Sequence, residues 1–198
     1  MTRKYSEASS LAFPLHIPHS FETITSMNLF DQATPIVHQS IKFAKVEYKK
    51  NDSKHQWEHV EDVMKRASEI VEKLQEDVDH ELLTLAVIFH DIDYHSKESF
   101  EENYKNHVES SMQVAEAFLR KNNYPEKRVQ KVKQIMFEHS SPHRQKFGEA
   151  KTVEGKIIFD SDKSIGFVTP EFHEKYFPLL YLAETKQLVI EKPSLARE

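Results

Sequence analysis

The 198-residue sequence predicts an all-α protein, a bundle of about six to seven helices. Two observations carry that expectation. Apolar residues recur at intervals of three and four along most of the chain, the spacing that builds one helix face. Alternation at period two, the mark of a half-buried strand, is almost missing.

Residues 1–33 read as an irregular N-terminal arm, punctuated by Pro14, Pro18 and Pro35 and without sustained periodicity. A single helical domain is expected over 34–190, followed by a tail at 191–198. The first helix runs from Ile36 to about Tyr48, where the polar run 49–53 breaks it. Val60, Val63, Met64, Ala67, Ile70, Val71 and Leu74 then form a clear stripe. Asp79 is placed to cap a helix from Glu81 through His90. Leu82 to Phe89 in that segment are apolar on nearly all sides, and their length and Leu/Ala content favour a central buried helix over a buried strand.

After a polar loop from Tyr94 to about Asn103, a further stripe follows: Val108, Met112, Ala115, Phe118, Leu119. Lys121 to Pro125 reads as helix end, turn and new start. Val129, Val132, Ile135 and Met136 continue the pattern until Ser140-Ser141-Pro142 stops it. Val153, Ile157 and Ile158 open another helix, and the last is expected over Phe172 to Leu188, after Pro170.

Composition removes several classes of function. With no cysteine, disulfides, thiolate metal sites and cysteine nucleophiles are excluded. The three glycines, Gly148, Gly155 and Gly166, form neither a phosphate-binding loop nor a dinucleotide fingerprint. The net charge is −5 with both signs interspersed, so binding to a nucleic-acid polymer is not expected. The longest apolar run, Leu85 to Phe89, is too short to span a bilayer, and the N-terminus lacks a signal-peptide pattern. A cytoplasmic protein is the expectation, with oligomerisation open, because a stripe wide enough for a core can also extend to a dimer face.

Chemistry concentrates at a few positions. His90-Asp91 ends the most apolar helix, where an unpaired carboxylate is costly and the helix dipole disfavours an anion. A cation bound by both residues resolves both problems. His59 borders the buried face of its helix. Asp160 follows Val153 by seven and Ile157 by three, which puts it on the apolar face, whereas Asp162 is expected to point nearly the other way. His139 lies on the apolar face of the Val132–Met136 helix, and His107 begins the Val108–Ala115 helix. His55, His80, His95, His143 and His173 read as surface or supporting positions.

The run Asp52 to Val63, with His59, resembles the first metal-ligand helix of histidine–aspartate (HD) domain phosphohydrolases. Phe89-His90-Asp91-Ile92-Asp93 resembles the family's HD motif, and Lys156 to Lys163 resembles its last motif, an apolar run into Asp-x-Asp. The resemblance covers about residues 36–165 and implies an HD-domain-like bundle. It implies metal ligation by His59, His90, Asp91 and Asp160, with His107 and His139 as candidates for a second metal or for substrate contact. The segment Lys163 to Pro170 departs from the Leu-Asp and small-residue stretch of many relatives.

The implied activity is phosphohydrolysis of a nucleotide or other small phosphate ester by a metal-activated water. The imidazole and carboxylate donors suit Mn, Fe, Co, Ni or Zn, one or two per chain. Asp91 is read as both ligand and water-orienting residue, and Asp93 as a candidate proton relay. Lys97, Arg144 and Lys163 are weak candidates for the substrate phosphate, and Trp57 and Tyr94 for stacking on a base. Two alternatives stay open: an HD-fold di-iron oxygenase like myo-inositol oxygenase, and a non-catalytic metal- or nucleotide-binding module.

Overall fold

Nearly all the secondary structure is arranged around one apolar helix. The structure, a computed structural model, describes residues 33–94, 100–165 and 170–191. Among these residues every regular element is helical. In order they are α1 (Pro35–Glu47), a 3-10 turn (Tyr48–Lys50), α2 (Trp57–Val71), α3 (His80–Phe89), α4 (Phe100–Lys121), α5 (Glu126–Glu138), α6 (Ser141–Phe147), α7 (Val153–Ser164), α8 (Pro170–Tyr176), a second 3-10 turn (Phe177–Leu179) and α9 (Ala183–Glu191). The all-α expectation holds. Residues 1–32 of the expected arm, and Lys97, lie outside the described residues.

The central helix is α3. Asp79 caps it as expected, its carboxylate accepting the Leu82 N–H at 3.1 Å. Leu82 through Phe89 are all buried, because α1, α2, α4, α5 and α7 pack around them. A helix that is apolar all round is stable only when enclosed on all sides, so this segment dictates a surrounding bundle. Around it, α2 buries Val60, Val63, Met64, Ala67 and Ile70, and α5 buries Val129, Val132, Ile135 and Met136. At the end of α4, Asn123 adopts a left-handed conformation (φ 57°) that lets the Tyr124 N–H return to Leu119 O at 3.0 Å.

Two regions depart from the sequence expectation. Ser140-Ser141-Pro142 does end α5, but it also starts α6. Ser140 Oγ accepts the His143 N–H at 3.1 Å, and Pro142 sits in the first turn, where its missing N–H costs nothing. The short α6 closes at Gly148, whose φ of 88° favours glycine. Further on, the helix expected over Phe172 to Leu188 is broken in two around Pro178, which lies in the second 3-10 turn.

Candidate metal centre

The C-terminal ends of α3, α5 and α7 meet the N-terminal half of α4 and the first turn of α2. His90 and His139 immediately follow α3 and α5, Asp162 lies in the last turn of α7, and His59 and His107 come from α2 and α4. Three converging helix C-termini add partial negative charge to that of two carboxylates.

The side chains point their polar ends at one another. His90 Nε2 lies 3.2 Å from His59 Nε2 and 3.3 Å from Asp91 Oδ2. His59 Nε2 is 3.3 Å from Asp162 Oδ1 and 3.8 Å from Asp91 Oδ2. On the other side of Asp91, Oδ1 is 3.4 Å from His107 Nε2 and 3.6 Å from His139 Nε2. Two groups of possible ligands result, His59–His90–Asp91 and Asp91–His107–His139, with Asp91 common to both.

These residues fit a transition-metal ion. His90 Nδ1 donates to Val87 O at 2.8 Å, and His139 Nδ1 donates to Met136 O. A carbonyl can only accept, so each ring keeps a proton on Nδ1 and turns Nε2, the atom that would ligate a metal, toward the cluster. Asp91 Oδ1 is enclosed without a hydrogen bond, an expensive state for a carboxylate oxygen unless a cation joins it. Donors about 2.1 Å from a shared metal sit about 3.0–3.4 Å apart in octahedral or tetrahedral arrangements, and several of the separations above match that spacing.

The electrostatics agree. Burial pushes the Asp91 carboxyl up, but His90 and the other imidazoles outweigh it and hold it well below the usual carboxylate range. Asp162 is likewise held well below that range, as Lys163 and His59 outweigh its burial. Burial works against a charge on His90, yet neighbouring Asp91 lifts that imidazole to about 8. The centre is thus an anionic pocket that draws in a proton when no metal is bound.

Several supporting residues have no counterpart in the sequence reading. Asn51 Nδ2 donates to Asp91 O at 2.8 Å, and the Asp91 N–H donates to the hydroxyl of buried Tyr48 at 3.3 Å. Tyr48 precedes the polar break after α1 and Asn51 lies within it, and nothing local signals that they reach a residue 40 or more positions on. Ser111 Oγ accepts the Asp93 N–H at 3.1 Å, and Ser110 Oγ donates to Asp93 O at 3.4 Å, tying the turn after Asp91 to α4. Buried Glu138, next to His139, accepts from Thr152 Oγ1 at 2.5 Å and from Thr152 N–H at 3.2 Å, which locks α5 to the start of α7. Gly155 makes this possible, because a Cβ there would lie 2.1 Å from Glu138 Oε2.

Three expectations need correction. Asp160 does not face the cluster. Its carboxylate accepts the N–H groups of Tyr181 and Leu182 at 2.8 and 2.9 Å and so caps the start of α9; burial pushes it up to about 6. Asp162, expected to face outward, points at His59 instead. The periodicity argument assumed one buried face on α7, but α9 covers the other, so Ile157 through Ser161 are all fully buried. Arg144 is carried by α6 away from the centre: its guanidinium lies 4.2 Å over the Tyr181 ring and donates to Leu179 O. Asp93 is pinned through its main chain to α4.

Beside the cluster is a cavity of about 80 Å³ that includes Asp91, His107, His139, Asp162 and Lys163 in its walls. Lys163 Nζ sits 2.5 Å from Asp162 Oδ2. His55 also lines it, stacked on Tyr94 with ring centroids 3.7 Å apart, and Tyr94 leans on His107 at 4.9 Å. Tyr94 is 4% exposed, which leaves little of its ring open to a base. Trp57 packs edge-on to Tyr48 and donates to Glu61 Oε1 at 2.6 Å, a structural role at the entry of α2.

The family model for the HD domain matches residues 57–165, from the first residue of α2 to the end of α7. The chain belongs to the HD-domain family. That match covers every element of the metal centre, and the HD domain with its His/Asp cluster places the protein among metal-dependent hydrolases. No curated protein and no solved structure gives a match. Among the described residues, no helix of this HD domain is long and apolar enough to cross a membrane.

Proposed function

We propose that this HD-domain protein is a metal-dependent phosphohydrolase acting on a nucleotide or other small phosphate ester. The observation that carries the reading is the convergence of four imidazoles on Asp91, its two oxygens serving different sides, with Asp162 beside His59. His59, His90, Asp91 and Asp162 would hold one ion, and Asp91, His107 and His139 a second. Mn, Fe, Co, Ni or Zn suits such donors. When bound, the metal lowers the pKa of a water and neutralises charge on the phosphoryl oxygens.

The protein's own groups do the rest. Asp91, at the junction of the two ligand groups, would orient the attacking water. Asn51 and Tyr48 keep the Asp91 main chain in register with the imidazoles. Lys163, beside Asp162 on the cavity wall, supplies positive charge toward the phosphate.

The same six donors favour a second reading, a di-iron oxygenase. Oxygen uptake by iron-loaded protein in the presence of small polyols would support it. The first experiment is elemental analysis of chelator-free protein beside the His90→Ala/Asp91→Ala double variant, followed by a screen of nucleoside phosphates, cyclic nucleotides and simple esters. About two metals per chain in the wild type, none in the variant, and phosphate release only from the former are expected. Neither metal uptake nor hydrolysis after loading with each of the five metals would overturn the proposal.

A further inference from the structure

We propose that Ser141 is a substrate-binding residue of this cavity, its hydroxyl donating a hydrogen bond to a phosphoryl oxygen. The inference rests on the phosphohydrolase reading above. Ser141 follows His139 by two residues and shares the cavity wall with Asp91, His139, Asp162 and Lys163. The residue is 7% exposed, and its Oγ is enclosed with no hydrogen-bond partner. A buried hydroxyl without a partner destabilises the fold, so its presence calls for a partner that arrives later.

The preceding serine shows the contrast. Ser140 Oγ accepts the His143 N–H at 3.1 Å and meets the local need for a cap. Nothing in the fold draws on the Ser141 hydroxyl, so alanine would serve the packing equally well. Asp91 Oδ1 is the other enclosed atom on this wall without a hydrogen bond, and it is an acceptor suited to a cation. Ser141 Oγ supplies the complementary capability, a neutral donor that turns between staggered rotamers. A phosphoryl group uses both: its charge is met by cations, and its remaining oxygens take hydrogen bonds from donors. In a cavity of low dielectric, an oxyanion gains more from such a donor than it would in water.

The test compares wild-type protein with Ser141→Ala, both loaded with the metal that binds. Melting temperature, metal content, and affinity for inorganic phosphate by calorimetry are measured for each. Ser141→Ala should melt at the same temperature or higher, since it removes an unpaired buried hydroxyl, and should keep its full metal content. Its phosphate affinity should fall by about tenfold, the scale of one hydrogen bond to a charged group. Equal affinity in the two proteins would overturn the role of Ser141 and leave the phosphohydrolase reading standing. A lower melting temperature or lost metal would show a structural role and overturn it as well. Absence of phosphate binding by the metal-loaded wild type would overturn both.

Discussion

Two carboxylates a single residue apart on α7 do opposite work. Asp160 satisfies the main chain leading into α9, and Asp162 faces His59 at the candidate metal centre. Removing each should separate stability from metal binding. Asp160→Ala leaves the N–H groups of Tyr181 and Leu182 without a partner and should cost about 2–6 kcal/mol, at roughly 1–3 kcal/mol per group, while metal content stays at the wild-type level. Asp162→Ala should lose metal, yet the metal-free form should melt close to the metal-free wild type. Chemical denaturation and elemental analysis of the two variants check this. Reversed results would return Asp160 to the ligand set.

Between elements, α3 and α5 are joined by a polar clasp at the end of α3 remote from the metal. Arg128 donates to both oxygens of Asp79, each at 2.9 Å, and to Glu81 at 3.0 Å, while the Tyr124 hydroxyl donates to Glu81 at 2.6 Å. Burial raises the Asp79 carboxyl, but the bonds from Arg128 and Leu82 N–H outweigh it and hold it below its ordinary value. Glu81 is lowered in the same way, with Thr34, Tyr124 and Arg128 outweighing burial. Because both folded values are depressed, their contribution is present above the unfolded carboxylate range of about 4 and is lost as pH falls through the folded values. Stability of metal-free protein should therefore drop on acidification below about pH 4, and Arg128→Met should flatten that part of the curve. Urea melts of the two proteins from pH 6 to pH 2 measure the difference. An unchanged profile would show that the clasp is cancelled by solvent, the usual fate of exposed ion pairs.

On the scale of the whole molecule, the centre joins helices that are distant in sequence. His59, His90, His107, His139 and Asp162 come from five segments, so any ion bound there cross-links most of the bundle. An ion that binds the folded chain and not the unfolded one stabilises by mass action, about 2.7 kcal/mol at a hundredfold excess over Kd. Melting temperature should rise with added metal and fall again with chelator, and the His90→Ala/Asp91→Ala variant should respond to neither. Differential scanning calorimetry with and without chelator checks this. A metal-insensitive wild-type melt would count against tight binding at this centre.

Much of this arrangement is legible in the linear pattern. The stripes of α2, α4 and α5, the cap at Asp79 and the enclosure of α3 all follow from local spacing and residue type. The placement of His59 and His139 follows too, because each borders the apolar face of its helix, and that of His90-Asp91 follows from their ending the enclosed helix α3. That logic fails where a helix is covered on two sides. On α7 the periodicity separates Asp160 from Asp162 but cannot say which side meets the cluster, since that depends on α9 folding back from some twenty residues later. It also fails at Asn51, Tyr48 and Ser141, whose partners or lack of them depend on which segments become neighbours. The sequence alone determined most of the helices and most of the groups able to bind a metal. Tertiary packing decided which carboxylate joined them, what holds Asp91 in place and which hydroxyl was left without a partner, because such contacts are made between segments and no local period encodes them.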